Sequence, residues 1–415
     1  MSLPIRTLPV VERWDCHGCG ICCQGTVVEL DADDIRRLES QRWSEHPDYR
    51  GQRIVVRRGW WRARYELAKR PDGSCIFLTP EGRCRIHQQY GLEAKPLVCQ
   101  MFPLQVVPLE RFAYLTLRRY CPSAAADRGR PLDAHHRLAR ALIERWQKRP
   151  RAAQPPPLVA GHRATWDEVL TVTDVLDGLV RDARYPLVRR LAHVVEFCEL
   201  LEGCRLDRLD RPRLAELAGM LQTAAVRDAG HVFRDRQAPD GHTGRLFRQA
   251  VFEYLALHPR FSAEAGWPGR FRLLGEAAAF HRGTGRVPRR GLPFPETTFE
   301  ALERPLGVLS LDVLRPLEAL FEASAASLRF AMLGRRRWPI TQSARALAFG
   351  HPVAMWTLRL ACGDRPPSEA DMLQAVAMLD RGETYAPFTG RRHQIRLLAM
   401  ARAGGLTRLL AWYGR

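Results

Sequence analysis

The spacing of apolar residues divides the chain into two parts with different predicted structure. Beyond about residue 164, apolar residues recur every three or four positions, which places them on one face of a helix. The segment "ALFEASAASLRFAML" is an example of this pattern. The spacing predicts helices over Thr165–Val180, Tyr185–Glu202, Arg211–Arg227, Thr243–Leu257, Phe271–His281, Leu309–Leu333, Ser368–Leu379 and Ile395–Tyr413. We therefore predict an irregular all-α region in the C-terminal part.

The N-terminal part has shorter and mixed patterns. Asp31 precedes an apolar edge formed by Ile35 and Leu38, which predicts the N-cap of a short helix within Glu29–Gln41. Alternating residues and turn-forming glycines predict the other elements. These are one or two strands in Arg53–Leu67, a hairpin made of Ser74–Leu78 and Arg83–His87 with Gly82 in its turn, a strand in Arg111–Cys121, and a helix over Asp133–Lys148.

A proline-rich segment separates the two parts. "KRPRAAQPPPLVAGHR" contains three consecutive prolines, Pro155 to Pro157, which favour an extended linker. We therefore predict a cysteine-rich domain at residues 1–147, a linker at 148–163 and a helical domain of unknown function at 164–415. The predicted fold class is α+β, with a small loop-rich domain followed by an all-α domain.

Cysteine is concentrated in the first of these domains. Eight of the eleven cysteines are Cys16, Cys19, Cys22, Cys23, Cys75, Cys84, Cys99 and Cys121, and the first four form a C-x-x-C-x-x-C-C run. Thiolates are soft ligands that suit zinc and iron–sulfur clusters, each usually held by four ligands. We therefore predict that these eight cysteines bind metal. The other three, Cys198, Cys204 and Cys362, lie in apolar helical stretches and are expected to pack as small hydrophobic residues.

The adjacent pair Cys22 and Cys23 limits how these thiols can be shared. Successive side chains of an extended chain point in different directions, so the pair is not expected to bind one isolated tetrahedral metal. Eight thiols match two four-cysteine sites, or one site with additional redox-active or unused cysteines. A C-x-x-C-x-x-C run fits an iron–sulfur loop and paired C-x-x-C fits zinc, so the sequence leaves the metal open. His17 and His87 could be alternative ligands, since imidazole also binds zinc and iron, or they could be bystanders.

Charge and composition narrow the partners and the compartment. The net charge is +19, but only three of the 64 basic residues are lysines, and no block of five or six like charges occurs. An arginine excess of this kind is what a GC-rich genome produces, so it does not favour a nucleic-acid partner. No apolar run approaches the roughly 20 residues of a membrane helix. Without a signal peptide at the N-terminus, we expect a cytoplasmic protein, where disulfides are rare.

The order and spacing of the cysteine motifs resemble a known family. The matching features are the CxxCxxCC run at Cys16–Cys23, Gly-Arg-Cys-x-Ile-His at Gly82–His87, Cys-x-x-Phe-Pro at Cys99–Pro103, and Cys-Pro at Cys121–Pro122. Together these motifs resemble the bacterial cysteine-cluster family, whose domain is described as zinc- or iron-chelating and which includes flagellin lysine N-methylase. The resemblance covers about residues 14–123.

The resemblance implies a metal centre on the cysteines. In the flagellin methylase branch it also implies an iron–sulfur cluster used to methylate lysine side chains with S-adenosylmethionine, which would make a flagellin-like protein the substrate. The alternative is a non-catalytic zinc module that binds a protein or nucleic acid. Asp15, Gln24 and Arg85 flank the cysteines and could tune a centre or be ordinary loop residues. The sequence leaves the catalytic residues and the oligomeric state open.

Overall fold

The structure is a computed structural model that describes residues 3–24, 26–59, 63–146, 154–207, 209–235, 237–258, 266–289, 291–332, 338–384 and 390–415. Its described strands all lie before residue 132, and helices make up most of the rest. The fold class is α+β, as the sequence predicts. The chain forms two compact units, of which unit 1 comprises Met1–Ile5, Val11–Val106 and Leu115–Pro150. Unit 2 comprises Arg6–Val10, Val107–Tyr114 and Arg151–Arg415.

Short strands form three small sheets. The strands are β1 (Ile5–Arg6), β2 (Arg13–Trp14), β3 (Glu29–Leu30), β4 (Val55–Arg58), β5 (Arg64–Leu67), β6 (Leu104–Pro108), β7 (Ala113–Leu117) and β8 (Arg130–Pro131). The sheets have the orders β1–β7–β6, β2–β8 and β3–β5–β4. In the last sheet β5 pairs antiparallel with both neighbours, and Tyr65 lies opposite Leu30 and Arg57. The strands predicted within Arg53–Leu67 and Arg111–Cys121 are confirmed.

The helices of unit 1 are short. They are α1 (Ala32–Ser40), α2 (Arg85–Tyr90), α3 (Leu97–Met101), α4 (Pro122–Ala125) and α5 (His136–Trp146). Helix α1 begins where the sequence predicts, because the Asp31 side chain accepts a hydrogen bond from the Asp34 backbone N–H. The Asp34 side chain in turn accepts one from the Asp31 backbone, which completes a capping box. Helix α5 confirms the helix predicted after residue 133, whose last two residues lie outside the described chain.

The predicted hairpin between Ser74–Leu78 and Arg83–His87 is wrong. Only one isolated bridge, between Leu78 and Cys84, joins these segments, although Gly82 makes the predicted turn at φ 77°. Helix α2 starts directly after Cys84, whose carbonyl accepts a hydrogen bond from the Gln88 backbone. Ile86 is the only buried residue of this helix. A pattern with one apolar side chain to bury is compatible with a short helix as well as with a strand.

Unit 1 contains two apolar cores that hold the cysteine segments. The first is built around Trp43, Tyr49 and Phe77, and Cys75, Cys84 and Cys99 pack against it. The second includes Trp14, Leu104, Leu115 and Leu117, and Cys121 packs against it. The cysteines are therefore attached to packed structure even though they lie on turns and helix ends.

Unit 2 consists almost entirely of helices. They are α6 (Trp166–Arg181), α7 (Leu187–Glu202), α8 (Arg211–Asp228), α9 (Val232–Asp235), α10 (Gly241–Ala256), α11 (Gly266–Arg282), α12 (Phe299–Leu302), α13 (Leu311–Ala326), α14 (Arg329–Met332), α15 (Ile340–Cys362), α16 (Glu369–Thr384), α17 (Arg391–Ala401) and α18 (Gly405–Tyr413). Each of the eight predicted helical stretches contains a helix. Two of them are divided, one at Leu328, which has φ 55°, and the other by the 3₁₀ turn Arg402–Gly404.

Helix α15 is the principal element that the apolar spacing does not predict. Every residue of this helix except Ala346 is buried. A helix enclosed on all sides has no polar face, so its sequence lacks the three- and four-residue apolar stripe. Pro352 inside the helix adds a signal that argues against a helix.

The structure describes only part of the predicted linker. Most of the proposed linker's first half, residues 148–153, lies outside the described chain, and residues 154–163 contain no helix. The exact domain boundaries stay a prediction.

Among the described helices, none is both long and apolar enough to cross a bilayer.

Candidate metal centre

The cysteine loop folds into a tight turn. Residues Ile21–Cys23 form one turn of 3₁₀ helix, preceded by Gly18 and Gly20 with φ of 66° and 69°. A Cβ atom on Gly20 would lie 2.4 Å from the Gly82 carbonyl oxygen. The loop therefore approaches the turn at Gly82 so closely that only glycine fits at position 20.

This approach creates a pocket lined by thiols. The pocket has a volume of about 330 Å³. Its cysteine lining comes from four separate segments and comprises Cys16, Cys19, Cys22, Cys23, Cys84, Cys99 and Cys121. Cys75 does not line the pocket, but its backbone N–H donates to the Cys23 carbonyl at 2.8 Å. The fold thus collects seven of the eight predicted ligands around one cavity and holds the eighth beside the loop.

Cys22 and Cys23 lie on a turn, whereas the prediction from the sequence treats them as part of an extended chain. Because Ile21–Cys23 is a 3₁₀ turn rather than extended chain, Cys22 and Cys23 both face the pocket. Their Sγ atoms lie 4.0 Å apart. The pKa of Cys22 is raised well above its usual range, first by this hydrogen bond and then by burial. The expectation that adjacency separates the two side chains therefore rested on an incorrect backbone conformation.

The thiols of this region affect one another's pKa values, and these effects divide them into two groups. Burial raises the pKa of Cys75 to about 11, and charge on Cys84 and Cys22 acts in the same direction. Burial also raises the pKa of Cys99, with further contributions from Cys75, Cys84 and Cys22. We call these four thiols the inner group, and Cys23 adjoins it beside Cys22. Cys75, Cys84 and Cys99 of this group pack against the first core.

The pKa shifts of the other thiols define a second set, the outer group, which consists of Cys16, Cys19 and Cys121. Burial raises the pKa of Cys121 to about 11, and its thiol neighbours are Cys19 and Cys22. The pKa of Cys19 is raised by burial and by Cys22 and Cys16. Cys22 is thus coupled to both groups. Cys16 and Cys19 are exposed, so the outer group is the solvent-facing side of the pocket.

The pocket carries positive side chains and no carboxylate. Among the described residues that line it, the charged or chargeable side chains besides the thiols are Arg83, Lys95, His17 and His87. Charge on Cys84 and Cys99 raises the pKa of Lys95 despite the opposing effect of burial. Burial, followed by the Lys95 charge, lowers the pKa of His87. Sequence reasoning missed Lys95, which only its rarity in an arginine-rich chain could have indicated.

The other sequence candidates have identifiable structural contacts. His17 Nδ1 and Ser123 Oγ share a hydrogen bond at the pocket wall. Asp15 pairs with Arg130, which joins the segments of β2 and β8, and Arg85 pairs with Asp48. Asp15, Gln24 and Arg85 do not line the pocket. None of Cys198, Cys204 and Cys362 lines it either, and Cys198 and Cys362 are buried in helices.

Comparison with known families identifies the cysteine-rich region. Residues 15–122 match the model of the CxxCxxCC family, which is described as a "putative zinc- or iron-chelating domain". Unit 1 carries a CxxCxxCC domain. The family description assigns zinc or iron chelation to this domain. Neither a curated protein nor a solved structure matches the chain significantly. The match ends at residue 122 and leaves the helices of unit 2 unassigned.

The donor set of the CxxCxxCC domain fits a thiolate-bound metal centre. Soft sulfur donors without carboxylates select zinc or iron–sulfur clusters over magnesium or calcium. Within the part of the chain that the structure describes, however, no three His, Cys, Asp or Glu side chains form a ready-made ion site. If the cysteines are the ligands, metal binding must therefore draw their side chains closer together. Their raised pKa values mean that metal must also displace protons.

Proposed function

We propose that the CxxCxxCC domain holds an iron–sulfur cluster and that the protein uses it as a lysine N-methylase acting on flagellin or a similar protein. The observation that carries the metal assignment is the cavity lined by seven thiols from four segments. The methylase assignment rests on the resemblance of the cysteine motifs to the family that includes flagellin lysine N-methylase. The two parts of the proposal can therefore fail separately.

The size of the cavity favours a cluster over a single ion. A structural zinc site is closed by its four ligands. The pocket volume of about 330 Å³ is larger than the space that one ion enclosed by four ligands needs. The seven thiols that line the pocket include enough for the four thiolates that a cubane cluster usually takes. An iron–sulfur cluster would supply redox or Lewis-acid chemistry at this position.

The chain's own residues would shape the surroundings of that centre. Cys75, Cys84 and Cys99 are partly buried against an apolar core, whereas the outer thiols Cys16 and Cys19 are exposed. In this proposal a substrate approaches from the side of these exposed thiols. The described strands form sheets of two or three strands, unlike the doubly wound parallel sheet that commonly binds nucleotide cofactors. In this proposal the methyl donor is accordingly bound beside the metal pocket.

Anaerobic purification with metal analysis tests the metal assignment. We expect brown protein with a broad absorption band near 400 nm and about four iron and four sulfide per cubane cluster. Colourless protein with tightly bound zinc and no sulfide would overturn the iron–sulfur assignment in favour of the non-catalytic zinc module. Protein that takes up neither metal would contradict the metal site itself.

Serine variants assign the ligands. Cys99→Ser removes an inner thiol and Cys16→Ser an exposed outer thiol, whose loss leaves the core intact. Cys198→Ser is the matched control, because Cys198 is a buried cysteine outside the pocket. We expect Cys99→Ser to lose iron and sulfide while Cys198→Ser keeps both. Equal iron and sulfide contents in Cys99→Ser and Cys198→Ser would exclude Cys99 as a ligand.

The methylase assignment needs a separate experiment. Cluster-loaded protein is incubated anaerobically with S-adenosylmethionine and purified flagellin, and methyl-lysine is measured by mass spectrometry. We expect methylation that requires both the protein and an intact cluster, and Cys99→Ser as a negative control. If cluster-loaded protein neither binds S-adenosylmethionine by calorimetry nor methylates flagellin, the methylase assignment fails and the metal assignment stands.

A further inference from the structure

We propose that the Lys95 ammonium group is a positioning residue of the metal pocket, which offsets the negative charge of the thiolate-bound centre and so strengthens metal binding. The inference rests on the proposed metal site and deepens it by assigning a role to a residue outside the ligand set. Lys95 lies four residues before Cys99 and lines the same cavity as the seven thiols.

The backbone of Lys95 is held firmly in place. Its N–H donates to the Leu92 carbonyl at 3.1 Å, and its own carbonyl accepts from Arg37 Nη1 at 3.1 Å. The Gln100 side-chain amide donates to the same carbonyl. Arg37 belongs to α1, so two elements of the domain fix the position from which the Lys95 side chain extends. A fixed base lowers the entropy that the flexible side chain loses when its charge acts on one site.

The surroundings of the ammonium group lack a conventional counter-charge. Within the described residues, Lys95 Nζ donates to no carboxylate and no carbonyl, and no Asp or Glu lines the pocket. A partly buried cation requires compensation by nearby negative charge. The thiols are the groups available to supply it, and they become negative when they bind metal, because the ligating form is the thiolate. Ligation therefore provides Lys95 with the counter-charge that the free protein lacks.

The Lys95 charge would in turn stabilise the metal centre. Four thiolates around one divalent ion leave a net negative centre, and a positive charge nearby stabilises it. The same charge favours the more reduced, more negative state of a redox-active cluster, which raises its reduction potential. Lys95 is one of only three lysines among the 64 basic residues of the chain.

Zinc titration of the reduced, metal-free full-length protein tests the inference without needing activity. The variants are Lys95→Gln, which removes the charge, and Lys95→Arg, which retains it. Lys69→Gln is the control, because Lys69 is exposed in the same unit and does not line the pocket. We expect the zinc affinity to fall at least tenfold in Lys95→Gln and less than threefold in Lys95→Arg and Lys69→Gln, as measured by competition with a chromogenic chelator.

A second readout applies to iron-loaded protein. The reduction potential should fall in Lys95→Gln, and a tenfold effect corresponds to about 59 mV for a one-electron couple. Unchanged zinc affinity in Lys95→Gln would overturn the inference while leaving the metal site in place. A loss in both Lys95→Gln and Lys95→Arg would show a packing role and also overturn it. Absence of metal binding by the unmodified protein would instead refute the proposed metal site.

Discussion

The Asp34 carboxylate accepts a hydrogen bond of 2.9 Å from the backbone N–H of Leu97. Asp34 caps its own helix α1, and Leu97 is the first residue of α3, the helix that carries Cys99. The same Asp34 oxygen accepts a hydrogen bond from Arg37, which also donates to the Lys95 carbonyl. One buried carboxylate thus connects the helix after the cysteine loop to the segment that bears an inner thiol.

Replacing Asp34 should weaken both the fold and the metal site. Asp34→Ala removes a capping interaction and leaves the Leu97 N–H unsatisfied, so we expect a loss of about 2–3 kcal/mol in the free energy of unfolding. Metal should also be released faster to a chelator. Urea unfolding and chelator kinetics measure the two effects. Asp33→Ala is the control on the same helix, since the Asp33 side chain is partly exposed rather than buried, and equal effects at both positions would contradict this account.

Metal binding should release protons. Burial raises the pKa of both Cys75 and Cys121 to about 11, so these thiols are protonated at neutral pH in the metal-free protein. Each thiol that becomes a ligand then loses one proton, and the metal affinity must rise with increasing pH. Zinc titration by calorimetry at pH 7.5, in two buffers with different ionisation heats, should give about one proton per ligated cysteine. Buffer-independent heats would be inconsistent with protonated thiols.

The aromatic core of unit 1 should control metal retention. Phe77 is fully buried, with ring centroids 4.7 Å from Trp43 and 5.1 Å from Tyr49. Phe77→Ala should lower the free energy of unfolding by about 3–5 kcal/mol. Because three inner thiols pack against this core, the variant should also lose metal more readily. Phe271→Ala changes an exposed phenylalanine of unit 2 and should have little effect on either measurement.

Unit 2 should lose stability in mild acid. Burial, and then the charge of Arg359, lowers the pKa of His351 to about 3. A group with a depressed folded-state pKa contributes stability above its unfolded pKa of about 6.5, and this stability is lost as the pH falls toward about 3. The loss amounts to about 1.4 kcal/mol per pH unit. Thermal unfolding between pH 7 and 4 should therefore be less pH-dependent in His351→Leu, whereas exposed His242→Leu should match the unmodified protein.

Much of the fold follows from local signals in the sequence. The capping residues Asp31 and Asp34 determine where α1 begins, and amphipathic spacing indicates most helices of unit 2. Helix α15 escapes this reasoning because burial on all sides removes the stripe on which the prediction depends. The segment after Gly82 also escapes it, because a short apolar pattern around Ile86 suits either a strand or a helix, and tertiary packing selects the helix.

The candidate site, like the fold, is predictable from the sequence only in part. Clustering of cysteines in the sequence predicts the thiols, since metal sites need several soft donors close together. The conformation of Cys22 and Cys23 is not predictable in this way, because it depends on the positive φ of Gly20 and on its approach to Gly82. Lys95 is found only through the fold, which brings it to the pocket from a segment that is distant from the loop. Long-range packing, which local patterns do not encode, supplies both features.

The close approach at Gly20 gives the loop an uneven tolerance to change. Gly18 has a similar φ but no atom within 4 Å of where its Cβ would lie, so a substitution there costs only backbone strain. At Gly20 the added carbon would collide with the Gly82 carbonyl and the Leu78 side chain. Under selection for metal retention, a saturation library should therefore recover several residue types at position 18 and glycine alone at position 20. The evolutionary freedom of the loop is thus limited by the space for a single methyl group.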